Sequence, residues 1–413
     1  MIQFKPFRAV RPAKNRAQSV TTQNVDYYSK DEIEKTLSQN PDSYLQIIKP
    51  TLVHSEDAKS KRYDEVRHNF EQFMDDEVMM RDLSSFYIYQ QENRGSIITG
   101  VIGLVSVDDF NNGLIKKHEN TIEEREKIFA NYLNSIHIQA DPVLLTFPEN
   151  QSIELLFSMV TRQTPTLEFT GMDNRPHRLW QVKDRLIMKQ LKDAIEKLDA
   201  LYIGDGHHRM SSGALYSETQ RNSNEDYHGL EAFNYTMAIL IPSNQLQIFD
   251  FNRMVKDLNG LSEEEFLAKV SEIFTVLEKD EPYYPSHKNH ISMYLNGKYY
   301  GLYVHQELRG VPKGLGELDT FLWEEHLMRP ILGIENSRTD KRIGFSKGTG
   351  DINGILKMQE KVDSGEYKVA FGFYPISFPD LQLVADLNLT MPPKSTYIEP
   401  KFLSAMTIFD LAD

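Results

Sequence analysis

The residues LYIGDGHHR at positions 201–209 decide how this chain of 413 residues is interpreted. The apolar run at 201–204 predicts a short buried strand, and the pattern from about His207 to Thr219 predicts a helix directly after it. Gly206 lets the backbone turn tightly and come close to a ligand. The turn therefore places a carboxylate, two imidazoles and a guanidinium at the amino end of a helix, where the helix dipole favours anions.

This turn is interpreted as a phosphate or nucleotide site, because Arg209 can donate two parallel N–H groups to an oxyanion. The residues assigned to the site are Gly204, Gly206, His207, His208 and Arg209. Two other interpretations remain open: Asp205 only caps the helix while the histidines lie on the surface, or the histidines bind a metal. Adjacent side chains on a helix point in different directions, which disfavours the metal site. The motif lacks the Gly-Lys-Ser/Thr ending of a P-loop.

Two other polar segments are candidates for chemistry. KKHENT at 116–121 precedes a predicted helix, and its His118 and Glu119 form a candidate acid–base pair. MPPKSTYIEPK at 391–401 is stiffened by prolines and offers cationic and hydroxyl donors. Its candidate substrate-binding residues are Lys394, Ser395, Thr396 and Lys401. Each segment has an alternative interpretation. For 116–121 the favoured one is that Glu119 is a surface carboxylate that complements the helix dipole, and for 391–401 the equally supported alternative is a rigid surface loop.

Composition limits the classes of function. Lys and Arg total 46 against 60 Asp and Glu, which gives a formal net charge of −14 and argues against a surface that binds nucleic acid or anionic membranes. The chain has no cysteine, which excludes thiol catalysis, zinc-thiolate sites and iron–sulfur clusters. The amino terminus has no signal-peptide pattern, and no apolar run reaches about 18 residues. The expected protein is cytoplasmic, with a small phosphorylated ligand and no membrane partner; its oligomeric state stays open.

Outward from the turn, strands and helices intermix without βαβ alternation, so the predicted class is α+β with mixed sheets and flanking helices. We expect three lobes, at 1–110, 111–240 and 241–413, which are parts of one continuous unit. The predicted local elements include a Ser29–Glu32 capping box, a strand at 44–48, a helix at 121–136 with Thr121 and Glu124 as its capping box, hairpins across Arg94-Gly95 and 171–174, and helices at 261–278 and 317–332.

The same strings resemble a bacterial family known as domain of unknown function 1015. The resemblance runs from PFRAVRP at 6–12 through KHENT at 117–121 and IGDGHHR at 203–209 to ILGI at 331–334 and MPPKSTY at 391–397. Two places depart from the family pattern. TQNVDY at 22–27 stands where a Pro-Tyr-Asp-Val turn is usual, and Asn252-Arg253 stands where a His-Arg pair is usual. If either place lines an active site, the activity is altered.

A more distant similarity is to the ParB/sulfiredoxin superfamily, which includes free-serine kinases and nucleotide-binding partition proteins. It implies a ParB-like core, Glu119 as the catalytic base, and Asp205, His207, His208 and Arg209 as catalytic groups that also hold nucleotide phosphates, with His118 beside them. It also implies ATP or ADP with Mg²⁺, for which Asp205 is the candidate ligand, and Arg253 as a further substrate-binding residue. The implied function is phosphoryl transfer on a small hydroxylated metabolite such as serine or phosphoserine; the alternatives are a non-catalytic nucleotide sensor and, least favoured, a role in DNA partition.

Overall fold

The computed structural model describes residues 1–48 and 56–413, and its mixture of strands and helices confirms the predicted α+β class. The strands in chain order are β1 Phe4–Lys5, β2 Val10–Pro12, β3 Met79–Arg81, β4 Phe86–Asn93, β5 Ser96–Ser106, β6 Ile115–Lys116, β7 Ile138–Gln139, β8 Val143–Phe147, β9 Leu167–Thr170, β10 Pro176–Val182, β11 Leu201–Asp205, β12 Tyr235–Pro242, β13 Gln247–Phe249, β14 Phe251–Val255, β15 Phe274–Lys279, β16 His290–Leu295, β17 Lys298–Val304, β18 Ile343–Lys347, β19 Val369–Phe373, β20 Tyr397–Glu399 and β21 Phe409–Asp410. The α-helices are α1 Ala17–Val20, α2 Lys30–Gln39, α3 Tyr44–Ile48, α4 Glu56–Asp75, α5 Val107–Asn111, α6 Glu123–Ile136, α7 Gln151–Thr161, α8 Arg185–Ile195, α9 His207–Ser223, α10 Glu263–Ser271, α11 Asp319–Trp323, α12 Ile352–Asp363 and α13 Phe378–Asp386.

The chain divides into two compact units. The first comprises residues 1–116, 121–246 and 400–413, and the second comprises residues 117–120 and 247–399. The division into three lobes stays a prediction.

A nine-stranded sheet organises the first unit. Its order is β6-β11-β8-β12-β5-β4-β10-β9, and β1 pairs with β5 beside this path. Apolar side chains of α7 and α8 cover one face, and Met210 of α9 joins the same core. The predicted β4–β5 hairpin is confirmed, with Arg94 and Gly95 both at positive φ in its turn. The strand β11 pairs with β6 on one side and β8 on the other, so the sheet positions the residues at which α9 begins.

The carboxyl-terminal segment 400–413 packs back into the first unit. Its β21 pairs with β7, and Ser404 forms a bridge with Thr22. Asp410, whose side chain is only 2% exposed, pairs with Arg67 at 2.9 Å and with Arg81 at 2.7 Å. These contacts anchor the segment that carries Lys401.

We expect Asp410→Asn to lower the free energy of unfolding by about 2 kcal/mol at neutral pH, less than the ~3–5 kcal/mol of a fully buried pair, because both arginines are partly exposed. Burial alone would raise the pKa of Asp410, but hydrogen bonds from Arg67 and Arg81 outweigh it and hold the pKa below its ordinary value of 3.8. The stabilisation is therefore present above that value and is lost as the pH falls through the folded-state pKa. Urea denaturation of both proteins across an acidic pH series measures this.

The exposed Asp226, changed to Asn, is the matched control and should leave stability nearly unchanged. A deficit of the Asp410 variant that stays constant down to the lowest pH would contradict the ion-pair account.

A six-stranded sheet, ordered β15-β17-β16-β19-β14-β18, organises the second unit. One face carries the main apolar core, which includes Trp323 and Phe371, and α12 packs on a smaller cluster with Met254 and Ala370. A π-helical turn at Glu324–Met328 follows α11 directly. Trp323 is fully buried and Trp180 nearly so.

Several predicted elements need correction. Tyr44–Ile48 is a helix rather than a strand, because a short apolar run fits either buried element. The helix predicted at 261–278 ends at Ser271, and β15 follows. The helix predicted at 317–332 is α11 followed by the π-helical turn.

The capping box predicted at Thr121 and Glu124 is also wrong. The helix α6 begins at Glu123, and its N-cap position is Ile122, which makes no side-chain cap. Thr121 instead donates a hydrogen bond to Glu126. The Ser29–Glu32 capping box is confirmed on α2.

In the described part of the chain, no helix combines the length and apolar character that a membrane crossing requires.

Candidate functional site

The turn between β11 and α9 has the predicted form. The strand ends at Asp205, Gly206 occupies the N-cap position with φ of +91°, and α9 begins at His207. A Cβ atom on Gly206 would lie 2.7 Å from Nε of Arg209. The backbone conformation favours glycine here, and a larger residue would also displace the arginine side chain that folds back over the turn.

Two cations converge on Asp205. Arg209 donates from Nη2 to Oδ2 of Asp205 at 3.0 Å and from Nη1 to the carbonyl oxygen of Pro142 at 3.0 Å. Lys401 donates from Nζ to the other carboxylate oxygen, Oδ1, at 3.0 Å. The arrangement fixes both cationic groups beside the first turn of α9, where together with one carboxylate they leave a net positive charge.

The charge state of Asp205 follows from these neighbours. Burial raises its pKa, but the positive charges of Lys401 and Arg209 outweigh burial and hold the pKa below its ordinary range. Asp205 is therefore an anion at neutral pH and keeps both cations in place.

The interpretation of Asp205 as a helix cap is not supported, since no side chain caps α9 and the N-cap residue is Gly206. The histidines are not simply surface residues either: His207 is buried and His208 is half-buried. Within residues 1–48 and 63–413, no group of three or more His, Asp or Glu side chains is arranged to hold a metal ion.

The second unit brings two of the predicted segments together. The N–H of Met391 donates to the carbonyl oxygen of His118 at 2.9 Å, and Thr390 donates to the Asn120 side chain at 3.3 Å. His118 is buried and Glu119 is half-buried. The KHEN and MPPKSTY strings, far apart in sequence, are thus neighbours in one unit.

The candidate residues of the MPPKSTY loop have different environments. Ser395 is buried and donates to the carbonyl oxygen of Pro392 at 2.7 Å, which is a structural contact. Lys394 is exposed and holds a positive φ of 56°, while Thr396 is half-buried. Lys401 belongs to the first unit, so the predicted set is divided between the units.

Arg253 is fully buried on β14 and donates from Nη2 to the carbonyl oxygen of Pro393 at 3.1 Å. A substrate-binding role for it stays a prediction.

A comparison with known protein families identifies the family to which the chain belongs. A family profile described as "Protein of unknown function (DUF1015)" matches residues 4–321. The chain belongs to the DUF1015 family. A search of curated proteins finds no match.

Solved structures give weaker similarities to this DUF1015 protein. They include a free serine kinase in complex with AMP, at 13% identity and a TM-score of 0.37, covering 74% of this chain and 90% of that one. SbnI with a C-terminal truncation, from Staphylococcus aureus, has 12% identity and a TM-score of 0.37, covering 73% of this chain and 85% of that one. A conserved hypothetical protein from Pyrococcus furiosus has 12% identity and a TM-score of 0.36, covering 75% and 95%. Scores this low establish no shared activity, and the ParB-like core stays a prediction.

The two departures from the DUF1015 pattern occupy structural positions. Asn252 is fully buried, donates to Asp250 at 2.7 Å and accepts from the N–H of Phe373 at 3.1 Å. In the 22–27 segment, Asn24 caps a short 3-10 helix. The amide of Asn252 is thus engaged in holding β14 and β19 together.

Sequence reasoning missed the partners of Asp205 and Arg209 in this DUF1015 protein. The ion pair between Lys401 and Asp205 joins residues 196 positions apart, and Pro142 contributes only a backbone carbonyl. No local pattern could have identified either contact.

Proposed function

We propose that the turn at Asp205–Arg209, together with Lys401, binds the phosphate groups of a nucleotide or phosphorylated metabolite. We call this group of residues the cradle. The observation that carries the proposal is the convergence of two cations on one carboxylate at the start of an uncapped helix. An anion placed there meets a net positive charge and the positive end of the dipole of α9.

The cradle residues have distinct roles in this proposal. Arg209 and Lys401 neutralise phosphate charge, and Asp205 is a positioning residue that holds both cations through its two oxygens. His207 and His208 supply further donors at the same turn. In an otherwise acidic chain, this local positive charge selects an anionic ligand.

The reaction that suits this chemistry is phosphoryl transfer to a small hydroxylated metabolite such as serine. The terminal phosphoryl group leaves ATP or ADP, bonds to the substrate hydroxyl oxygen, and the hydroxyl proton passes to a base, for which Glu119 is the candidate. Positioning and charge neutralisation carry most of such a reaction. Mg²⁺ fits Asp205 poorly, because both carboxylate oxygens already accept from cations. In the proposed reaction Asp205 therefore positions the two cations and does not bind a metal ion.

Phosphorus NMR tests the proposed activity. The full chain is incubated with serine and either ATP or ADP, and separately with phosphoserine, with Mg²⁺ in the buffer. We expect a phosphoserine resonance that depends on both enzyme and serine. If no phosphoserine forms and no phosphate leaves phosphoserine, serine phosphoryl transfer is wrong.

A non-catalytic nucleotide sensor is the second candidate, which the departures from the family pattern at 22–27 and Asn252 suggest at the level of sequence alone. Calorimetric titration with ATP, ADP and CTP separates the two candidates, since a sensor binds a nucleotide without turnover. A role in DNA partition has no support from the charge of −14.

We expect Lys401→Met to weaken nucleotide binding about 10-fold, because one charge-assisted contact to phosphate, of about 1.5 kcal/mol, is lost while Arg209 stays paired with Asp205. Calorimetry with ADP measures the change. The matched control is Lys189→Met, which removes an exposed lysine that also pairs with an aspartate at 3.0 Å. Equal losses in the two variants would mean that Lys401 has no specific part in binding.

A further inference from the structure

A buried cation, Arg253, lies in the apolar core of the second unit. Arg253 on β14 is opposite Phe345 and Phe371 in the sheet, so the three side chains share one face. Its guanidinium lies over the rings of Phe345 and Phe373, at 5.6 and 5.0 Å from the ring centroids. Arg253 has no exposed surface. A cation in such a setting is costly unless acceptors surround it.

The acceptors around Arg253 are incomplete. Nη1 donates to the carbonyl oxygen of Phe251, and Nη2 donates to that of Pro393 at 3.1 Å. Within the described residues, Nε has no hydrogen-bond partner. The nearest carboxylate oxygen, Oε1 of Glu324, lies 4.0 Å from Nη2, beyond hydrogen-bond reach, and accepts instead from Ser337 at 3.1 Å. One charged donor is therefore left unsatisfied.

A second unsatisfied donor belongs to the core cluster that contains Phe371 and Phe373. Nε1 of Trp323 is buried and lacks a hydrogen-bond partner among residues that the structure describes. The Trp323 ring packs on Phe371 and Phe373, with centroid distances of 5.0 and 5.9 Å, and Phe373 also packs beneath the guanidinium of Arg253. Tryptophan and arginine side chains can only donate, so both N–H groups call for the same complement, an acceptor.

We propose that Arg253 and Trp323 form an internal binding site for a small anion in the second unit. The ligand is a carboxylate or phosphate group, which presents several acceptor oxygens and offsets the buried charge. A buried donor without a partner in a native structure calls for an explanation, and an ion that completes the site is one. The exposed Lys394 follows Pro393 directly, so the site lies just beneath the surface loop that Arg253 anchors.

Glu324 gives the site a characteristic electrostatic response. Its carboxylate is the negative group nearest to the guanidinium, and it competes with a bound anion for the same charge. Removing that negative charge should therefore tighten anion binding, whereas removing Arg253 should abolish it. A water molecule at the site would not produce this pair of opposite effects.

Intrinsic fluorescence of Trp323 provides the measurement. The chain has two tryptophans, so Trp180→Phe leaves Trp323 as the only one. This protein is titrated with sodium phosphate and, separately, with sodium acetate at constant ionic strength maintained with sodium chloride. We expect the Trp323 fluorescence to change saturably with at least one anion. The titration that saturates at the lower concentration identifies whether the site prefers a phosphate or a carboxylate.

Two further variants are made in the Trp180→Phe background. Arg253→Met should weaken anion binding more than ~10-fold through loss of a charged donor, and Glu324→Gln should tighten it several-fold. Arg338→Met, which changes an exposed arginine of the same unit, should leave the response unchanged. Glu324→Gln retains the guanidinium, so it tests the site even if Arg253→Met does not fold.

A response that stays linear in anion concentration, or one that Glu324→Gln leaves unchanged or weakens, would overturn the proposal. The site is separate from the cradle, and Arg209→Ala should leave the Trp323 response intact. The two proposals can therefore fail independently.

Discussion

Replacing Arg209 with alanine is expected to weaken binding of ADP by about 10- to 100-fold. The guanidinium supplies charge-assisted hydrogen bonds, each of about 1.5–3 kcal/mol when a phosphate accepts them, and the change leaves Asp205 with only Lys401 as its cation. The remaining carboxylate then repels the phosphate more strongly. Isothermal titration calorimetry with ADP measures the loss.

Arg178→Ala is the matched control for this variant. Arg178 pairs with Glu168 at 2.6 Å, and its side chain is 35% exposed, close to the 32% of Arg209. We expect its ADP affinity to equal that of the wild type. Unchanged binding in the Arg209 variant, with its circular dichroism spectrum intact, would show that the turn is not the phosphate site.

Replacing Glu119 with glutamine should lower kcat for phosphoserine formation by about 100- to 10,000-fold while nucleotide affinity stays near that of the wild type. A carboxylate that accepts the substrate proton contributes to the transition state, and the isosteric amide cannot accept that proton. Steady-state kinetics and calorimetry on the same preparation separate the two quantities.

Glu124→Gln is the control, because Glu124 is an exposed carboxylate in the first turn of α6. Its kcat should not change. A Glu119 variant that turns over normally would remove Glu119 as the base, and one that loses nucleotide binding would assign it a binding or structural role.

Local signals in the sequence predicted the elements around the cradle. A short apolar strand, a Gly-containing turn and a helix at 201–219 follow from neighbouring residues alone, and the structure has β11, Gly206 and α9 there. The capping box of α2 at Ser29 is local in the same sense. Such elements depend on contacts within a few residues, and pattern reasoning can reach them.

The contacts that complete the candidate site depend on the tertiary fold. Lys401 reaches Asp205 because segment 400–413 returns to the first unit, and the hydrogen bond from Met391 to His118 depends on the packing of the second unit. The predicted cap of α6 was wrong for a related reason, because the side chain of Thr121 donates its hydrogen bond to the side chain of Glu126 and not to the helix backbone. A sequence pattern offers candidate partners but does not select among them.

The burial of Arg253 changes the role that the structure suggests for this residue. The residues FNRMV at 251–255 do not alternate between apolar and polar types, yet all five are buried in β14, so both faces of the strand are covered. Arg253, expected as a substrate-binding residue from the family resemblance, is fully enclosed and anchors the loop through Pro393. Its fit to an internal anion becomes visible only when its neighbours are known.

The most direct test of the cradle is calorimetric titration of ADP into the double variant Arg209→Ala/Lys401→Met. Asp205 is 41% exposed, so the fold should tolerate the loss of both its partners. The account predicts that saturable binding of ADP disappears while the thermal unfolding midpoint stays close to that of the wild type. Binding of ADP with wild-type affinity in this variant would contradict it.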